Sequence, residues 1–354
     1  MKPLVSIVIP VYNVEKYIDQ CLQSAINQTM EAIEIICIDD GSTDRSGEIL
    51  DRYAEKDARI KVIHQKNGGY GKAMNAGLRE AKGEFFCILE SDDFLLEDSC
   101  ELLYKAAIKY DAEIVRADYY DFSTTNKKTN LRLRQITQDY SYYNRVIVPN
   151  EEREVYAFVM HNWTGIYKLS FLRENGISYH ETPGAAYQDN GFYFQAFSRA
   201  KRLVYIPKAF YCYRIDNEGS SIHDKGKVYA MTKEYDYIRS ILEPDEDIWN
   251  KISGVFYNRL FRACVQTYRR IDATHKKEYQ GYMKDLFSKL YKQGRMDVAL
   301  LRTEEIDSLF LLINRPVSFK FYNSSNKKVR RIYESLYILV HHGVNELETL
   351  IQRT

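Results

Sequence analysis

Short hydrophobic runs alternate with polar, helix-periodic stretches through residues 4–120. Val5 to Val11, Ile33 to Ile38, Ile60 to Ile63, Glu84 to Leu89 and Glu113 to Ala117 are brief and apolar, which predicts strands. Between them apolar residues recur at helical spacing: Leu22, Ala25 and Ile26, then Ile49, Leu50 and Tyr53, then Met74 and Leu78, then Leu102, Leu103 and Ala106. Asp44 stands where a helix cap is expected, and Glu97-Asp98 place negative charge at another helix start. Such alternation implies an α/β fold with a mostly parallel sheet and right-handed crossovers.

From 121 to 150 the pattern dissolves, and Ser123-Thr124-Thr125-Asn126-Lys127-Lys128 reads as an exposed excursion or hairpin tip. Order returns at Val155-Tyr156-Ala157-Phe158 and runs to Ile222, with a short strand from Arg202 to Ile206. Past residue 227 the period is helical: Val228 to Leu242, Ile248 to Arg270, Lys276 to Gln293 and Val329 to Gln352. A boundary near 225 is therefore expected, giving an α/β domain at 1–225 and a mainly helical region at 226–354. In that region Lys327-Lys328-Val329-Arg330-Arg331 precedes a stripe of Ile332, Leu336, Leu339, Val340, Val344 and Leu347. A basic cluster beside an amphipathic helix can rest on an anionic membrane. A bundle helix packed on its neighbours, or a homodimer contact, explains the same pattern.

Charge narrows the choice of partner. Lys+Arg 50 against Asp+Glu 49 leaves a net charge of +1, which gives no global field for nucleic acid. The six cysteines form no CxxC pair, and Cys37 and Cys87 lie inside apolar runs, favouring buried reduced thiols over a disulfide or zinc framework. Met1-Lys2-Pro3 leads straight into a strand rather than a secretory signal, and no apolar run is long enough to span a bilayer. A cytoplasmic protein is the default expectation.

The chemistry lies where apolar runs stop at acids. Asp39-Asp40-Gly41-Ser42 follows Ile35-Ile36-Cys37-Ile38, and Glu90-Ser91-Asp92-Asp93 follows Phe85-Phe86-Cys87-Ile88-Leu89. Ligands of open parallel sheets bind beyond the carboxyl ends of the strands. Two such ends bearing acids can hold a cation, or the polar groups of a nucleotide, between them.

Val5-Ser6-Ile7-Val8-Ile9-Pro10-Val11-Tyr12-Asn13, Ile38-Asp39-Asp40-Gly41-Ser42-Thr43-Asp44, Asn67-Gly68-Gly69-Tyr70-Gly71-Lys72-Ala73-Met74-Asn75 and Glu90-Ser91-Asp92-Asp93 occur in that order. Together they resemble a family 2 glycosyltransferase of GT-A fold, a likeness that extends over residues 4–222. The resemblance implies inverting transfer of a sugar from a nucleotide diphosphate donor to an acceptor hydroxyl, with Mn²⁺ or Mg²⁺. It implies that Asp39 contacts the base, and a carboxylate accepting from the imide N–H of uracil would favour uridine or thymidine over adenine. Pro10 and Tyr12 end the first strand, where they either meet the base or simply make a turn. Asp40 contacts the nucleotide or braces a turn. Gly68, Gly69 and Gly71 allow close backbone approach to a ligand, and Lys72 can offset phosphate charge. There is no Walker pattern.

Glu90-Ser91-Asp92 occupies the family's DxD position, which implies donor contacts from Glu90 and Ser91 and a metal ligand in Asp92. Glu90 stands where the first Asp is usual, and Asp93 supports the turn. Ala186-Tyr187-Gln188-Asp189-Asn190-Gly191-Phe192 resembles the segment bearing the general base, which assigns that role to Asp189 with a helix N-cap as the structural alternative. Gln188 stands where Glu is common. Trp163, in Asn162-Trp163-Thr164-Gly165, either stacks on a sugar or packs in the core. Arg214, Ser220 and Ser221 resemble the loop that closes over the diphosphate, and His223 is either a further metal ligand or a surface residue.

The leading expectation is a UDP-sugar transferase acting on a glycan or lipid-linked glycan acceptor in bacterial capsule or cell-surface polysaccharide synthesis. A sugar-phosphate nucleotidylyltransferase would need a glycine- and arginine-rich loop after the first strand, which is missing. A non-catalytic nucleotide-sugar-binding assembly subunit is the alternative that Glu90 and Gln188 keep open.

Overall fold

Seven consecutive buried residues, Val5–Val11, make strand β1 the centre of a layer covered on both faces. In the computed structural model, which describes residues 2–125, 128–185, 187–217, 219 and 227–341, β1 pairs in parallel with β2 (Ile33–Asp39) and β4 (Phe85–Ile88). β3 (Ile60–His64) lies parallel outside β2. Helices α1 (Ile18–Ile26), α2 (Ser46–Ala54) and α3 (Tyr70–Glu80) make the crossovers, as the stripes predict.

The remaining strands are β5 (Phe94–Leu95), β6 (Ile114–Thr125), β7 (Lys128–Arg134), β8 (Val146–Ile147), β9 (Gly165–Lys168) and β10 (Leu203–Arg214). The sheet order is β3-β2-β1-β4-β9-β6-β10-β5, with β7 on β6 and β8 on β10. β9 runs antiparallel between β4 and β6, and β6 is parallel to β10. α4 (Ser99–Tyr110), α5 (Leu169–Glu174) and α6 (Gln188–Arg199) complete this part. The sheet is thus mixed and mostly parallel.

The expected strand at 202–206 continues to Arg214 because a register shift between Ile206 and Tyr211 absorbs Pro207. The Asp44 expectation is one turn position early. α2 starts at Ser46, and the Asp44 carboxylate accepts from the Ser46 N–H at 2.9 Å.

The chain divides into two units, Met1–Ile222 with Lys233–Lys251, and His223–Thr232 with Ile252–Thr354. Beyond the sheet lie α7 (Ala230–Leu242), α8 (Glu246–Arg270), α9 (Lys276–Lys292), α10 (Thr303–Asn314), α11 (Pro316–Tyr322) and α12 (Lys327–His341). The core of the second unit includes Phe261 edge-on to Phe287 at 4.9 Å. All six cysteines are buried and free. Among the described residues no helix is long and apolar enough to cross a membrane.

Candidate active site

The ends of β1 and β2 are tied to each other before any ligand enters. Asn13, in the left-handed region at φ 52°, accepts the Thr43 N–H on its side-chain oxygen at 2.7 Å, and its own N–H donates to Ser42 Oγ at 3.1 Å. Pro10 is buried within β1, while Tyr12 is 50% exposed beyond it, free to present its ring. Asp39 ends β2 and is nearly buried; one carboxylate oxygen accepts the Ser42 N–H at 2.9 Å and the other lies 2.8 Å from His64 Nδ1. His64 is register partner to Asp39 on β3 and also meets Asp51, and these two acids raise its pKa. Sequence reasoning missed His64, whose only signal is its place at the end of a neighbouring strand.

Asp40 takes the bracing role. Its carboxylate accepts from Gln65 Nε2 at 2.7 Å, from the Gly68 N–H at 2.9 Å and from the Gly69 N–H at 2.8 Å. The glycine segment is therefore pinned from below. Gly69, at φ 90°, opens α3 and its missing Cβ admits the Thr182 and Gly184 backbone; Gly71 likewise admits the His180 carbonyl. Here the close approach is made by the protein's own 180–184 segment, which the sequence could not reveal. Lys72, in the first turn of α3, has no ion-pair partner among the described residues.

Past β4 the acidic loop is knotted into the sheet. Glu90 is half-buried; its Oε1 accepts from Tyr70 O–H at 2.7 Å, and its N–H donates to Tyr211 Oη at 3.0 Å. Asn162 joins the network by donating to Tyr70 Oη at 3.1 Å and Tyr179 Oη at 3.0 Å. Enclosure by protein, then the charges of Asp92 and Asp189, push the Glu90 carboxyl up to about 8. Glu90 thus feels both the loop after β4 and the start of α6. Ser91 is buried in this turn. Asp93 is fully enclosed, accepting from Tyr211 O–H at 2.8 Å and the Arg214 N–H at 2.7 Å; burial, then Asp92, raises its pKa. Asp93 supports the turn, as expected. Asp92 is half-buried, and its Oδ2 accepts from Asn217 Nδ2 at 2.7 Å.

Two expectations take a structural form. Arg214 is held by the protein: Nε donates to the Asp92 carbonyl at 2.8 Å, Nη2 to Gln20 at 2.5 Å, Nη1 lies 3.5 Å from Asp216, and the guanidinium sits over Tyr17 and Phe122. It braces the acidic loop. Trp163 is 5% exposed and stacked with Tyr211 at 4.4 Å, His161 at 4.8 Å and Tyr213 at 5.1 Å, so the core reading describes its surroundings. Ser220, Ser221 and His223 lie outside the described residues.

Asp189 occupies the first turn of α6. The N-cap is Tyr187, held in the left-handed region at φ 70°, a conformation costing on the order of 1–3 kcal/mol outside glycine. The helix N-cap alternative for Asp189 is thereby removed, although its partial positive field still favours the carboxylate. One carboxylate oxygen accepts from Asn190 Nδ2 at 3.2 Å, and burial pushes the group up to about 6 despite the backbone donors. Buried Gln188 donates to Thr182 Oγ1 at 2.8 Å and the Gly184 carbonyl at 3.1 Å, which anchors the 182–184 turn. A second acid unmarked by the sequence stands nearby. Glu234 of α7 is 2% exposed, with Oε2 2.8 Å from His180 Nδ1; burial and then Asp189 push it up to about 8. Burial lowers the His180 pKa, and the two side chains share this hydrogen bond.

The residues fit a hard divalent cation in chemistry. The charge of Asp92 raises the carboxyls of both Glu90 and Asp93, and Glu90 also raises Asp93, an accumulation of negative charge that a cation relieves. Among the described residues no three His, Cys, Asp or Glu side chains converge on one point, so Asp92 would share a metal with donor oxygens rather than cage it.

The family model for glycosyl transferase family 2 matches residues 6–171. The glycosyltransferase GlyG of Streptococcus pneumoniae is 34% identical over 222 residues, covering 60% of this chain and 71% of GlyG. The glycosyltransferase EpsJ of Bacillus subtilis is 34% identical over 220 residues, covering 60% of this chain and 62% of EpsJ, so the match spans about three fifths of that relative's length. S. aureus TarS, solved in complex with UDP-GlcNAc, superposes with a TM-score of 0.65 at 22% identity, over 95% of this chain and 92% of that one. That likeness establishes the expected GT-A architecture.

Proposed function

The chain belongs to glycosyltransferase family 2, and on that premise we propose that it moves a sugar from a UDP-sugar to an acceptor hydroxyl with inversion, during assembly of a bacterial surface polysaccharide. The observation that carries this reading is Glu90, whose carboxyl feels both Asp92 and Asp189 and so joins the acid turn after β4 to the start of α6. Donor and acceptor chemistry need those two elements side by side.

In this reading Tyr12 and Asp39 receive the base, with Asp39 using lone pairs left over from Ser42 and His64. Lys72, unpaired among the described residues, faces the diphosphate, and Glu90 and Ser91 orient the donor. Asp92 would hold Mn²⁺ or Mg²⁺, which when bound neutralises charge developing on the departing diphosphate. Asp189 takes the proton of the acceptor hydroxyl as its oxygen attacks the anomeric carbon and the bond to the diphosphate breaks. A carboxyl with a pKa pushed up to about 6 is ionised at neutral pH yet more basic than an ordinary aspartate, which suits a general base. The TarS complex supports UDP as the nucleotide.

The test is UDP release from a panel of UDP-sugars, with Mn²⁺ or Mg²⁺ and then with chelator. Slow, metal-dependent hydrolysis of one donor, lost in Asp92→Asn, is the expected result. Donor binding with no UDP release above background, in the parent and in Asp189→Asn alike and in the presence of acceptor extracts, would overturn the catalytic reading in favour of a binding subunit.

A further inference from the structure

The second unit turns an apolar face outward. On α12 the residues Ile332, Leu336 and Val340 are each more than half exposed, and Val329 is also exposed. At 3.6 residues per turn, Val329, Ile332, Leu336 and Val340 fall on one stripe. The opposite face is the one that packs: Tyr337 meets Tyr322 edge-on at 5.5 Å, and Glu334 lies 3.6 Å from Arg269. This helix is amphipathic with its apolar side to solvent, contrary to the bundle-core expectation for Ile332, Leu336 and Val340. The exposed side extends onto α11, where Phe321, itself exposed, stacks on Tyr333 at 5.9 Å and Val317 lies one turn away.

Charge identifies the occupant. Residues 315–333 contain Arg315, Lys320, Lys327, Lys328, Arg330 and Arg331 and no Asp or Glu, in a chain whose net charge is only +1. Arg330 reaches Glu334 at 3.9 Å and Arg331 also acts on the Glu334 charge, whereas Lys320, Lys327 and Lys328 are exposed with no ion-pair partner among the described residues. Lys328 borders the apolar stripe of α12 on the helical wheel, and Lys320 lies between Val317 and Phe321 on α11. A second copy of this chain, docking by the same face, would set these cations against themselves, because an isologous contact is self-complementary. An anionic bilayer meets both features: the stripe enters the acyl boundary and the cations meet lipid phosphates. We infer that the outward face of α11 and α12 is a docking surface for an anionic lipid membrane.

The full chain would be sedimented with vesicles of equimolar phosphatidylcholine and phosphatidylglycerol, and with phosphatidylcholine alone. Binding to the anionic vesicles only, weakened by salt, is expected. Ile332→Asp/Leu336→Asp and, separately, Lys320→Ala/Lys328→Ala should each weaken it by roughly tenfold or more. All four side chains are exposed, so circular dichroism of the variants should match that of the parent. Absence of binding, or binding untouched by both pairs, would overturn the inference. So would a concentration-dependent dimer in light scattering that Leu336→Asp dissolves, since a second copy would then cover the face. Neither assay needs a sugar donor, so the result is independent of the catalytic reading.

Discussion

Replacing Asp189 with Asn keeps an acceptor for the Asn190 side chain and removes only the ability to take a proton. Turnover should therefore fall by about 10²–10⁴ while UDP binding is retained. A carboxyl pushed up to about 6 also dictates the pH profile: the base is protonated and idle below that value. The acidic limb of kcat should bend near pH 6 rather than in the ordinary aspartate range, as read from initial rates across pH. A limb bending near pH 4, or an Asn variant of undiminished kcat, would exclude Asp189 as the base. Acids at strand ends were legible because apolar runs stop at them. Their partners were not: His64, Tyr70, Tyr211 and Glu234 reach Asp39, Glu90, Asp93 and His180 from distant positions, and nothing local announces such a contact.

At the scale of elements, the crowded contact lies between the start of α3 and the 180–184 segment. The Tyr70 N–H donates to the Gly184 carbonyl at 3.1 Å, and a Cβ at Gly71 would run into the His180 carbonyl oxygen. Backbone cannot yield as a flexible side chain can, so Gly71→Ala should force the two apart. Overpacking of this kind costs roughly 1–3 kcal/mol. Because Gln188 ties the same turn to α6, the displacement should reach Asp189. Reduced kcat together with a lowered melting temperature is expected; an Ala variant matching the parent in both would show that the contact is slack. The β1-to-β4 alternation was readable because each strand is short, buried and flanked by a helix of matching period. The 121–150 stretch was opaque for a physical reason. β7 lies at the sheet's margin and is exposed along almost its whole length, so the alternation of Leu131, Arg132, Leu133 and Arg134 marks no buried face.

For the molecule as a whole, acid acts on the two units with opposite sign. In the second, Glu305 of α10 receives Arg262 Nε at 2.5 Å and Nη2 at 3.0 Å, with Arg302 Nη2 at 2.8 Å. Burial raises this carboxyl, but the hydrogen bonds and charges of Arg262 and then Arg302 outweigh it and hold it down at about 2. A depressed carboxyl contributes its stability above the ordinary glutamate range and loses it as pH falls toward 2. The gap from 4.5 corresponds to about 3 kcal/mol. In the first unit Glu90 and Glu234, pushed up to about 8, favour their protonated forms in the folded state. Their contribution is complete below the ordinary glutamate range and fades as pH rises through 8. Surface pairs there, such as Arg45–Glu48, are too exposed to reverse that balance. Trp163 lies within the first unit, whereas Trp249 stands on α8, which continues into the second, so in a Trp249→Phe background tryptophan fluorescence follows the first unit alone while far-UV circular dichroism follows both. Near pH 3 the dichroism melt should precede the fluorescence melt, and the gap should narrow toward neutrality. Glu305→Gln should lower the dichroism melt at neutral pH and remove most of its further fall in acid, since the titrating group is gone. Coincident melts at every pH, or an acid shift that persists unchanged in Glu305→Gln, would show that the Arg262–Glu305–Arg302 cluster does not set the acid limit of the helical unit.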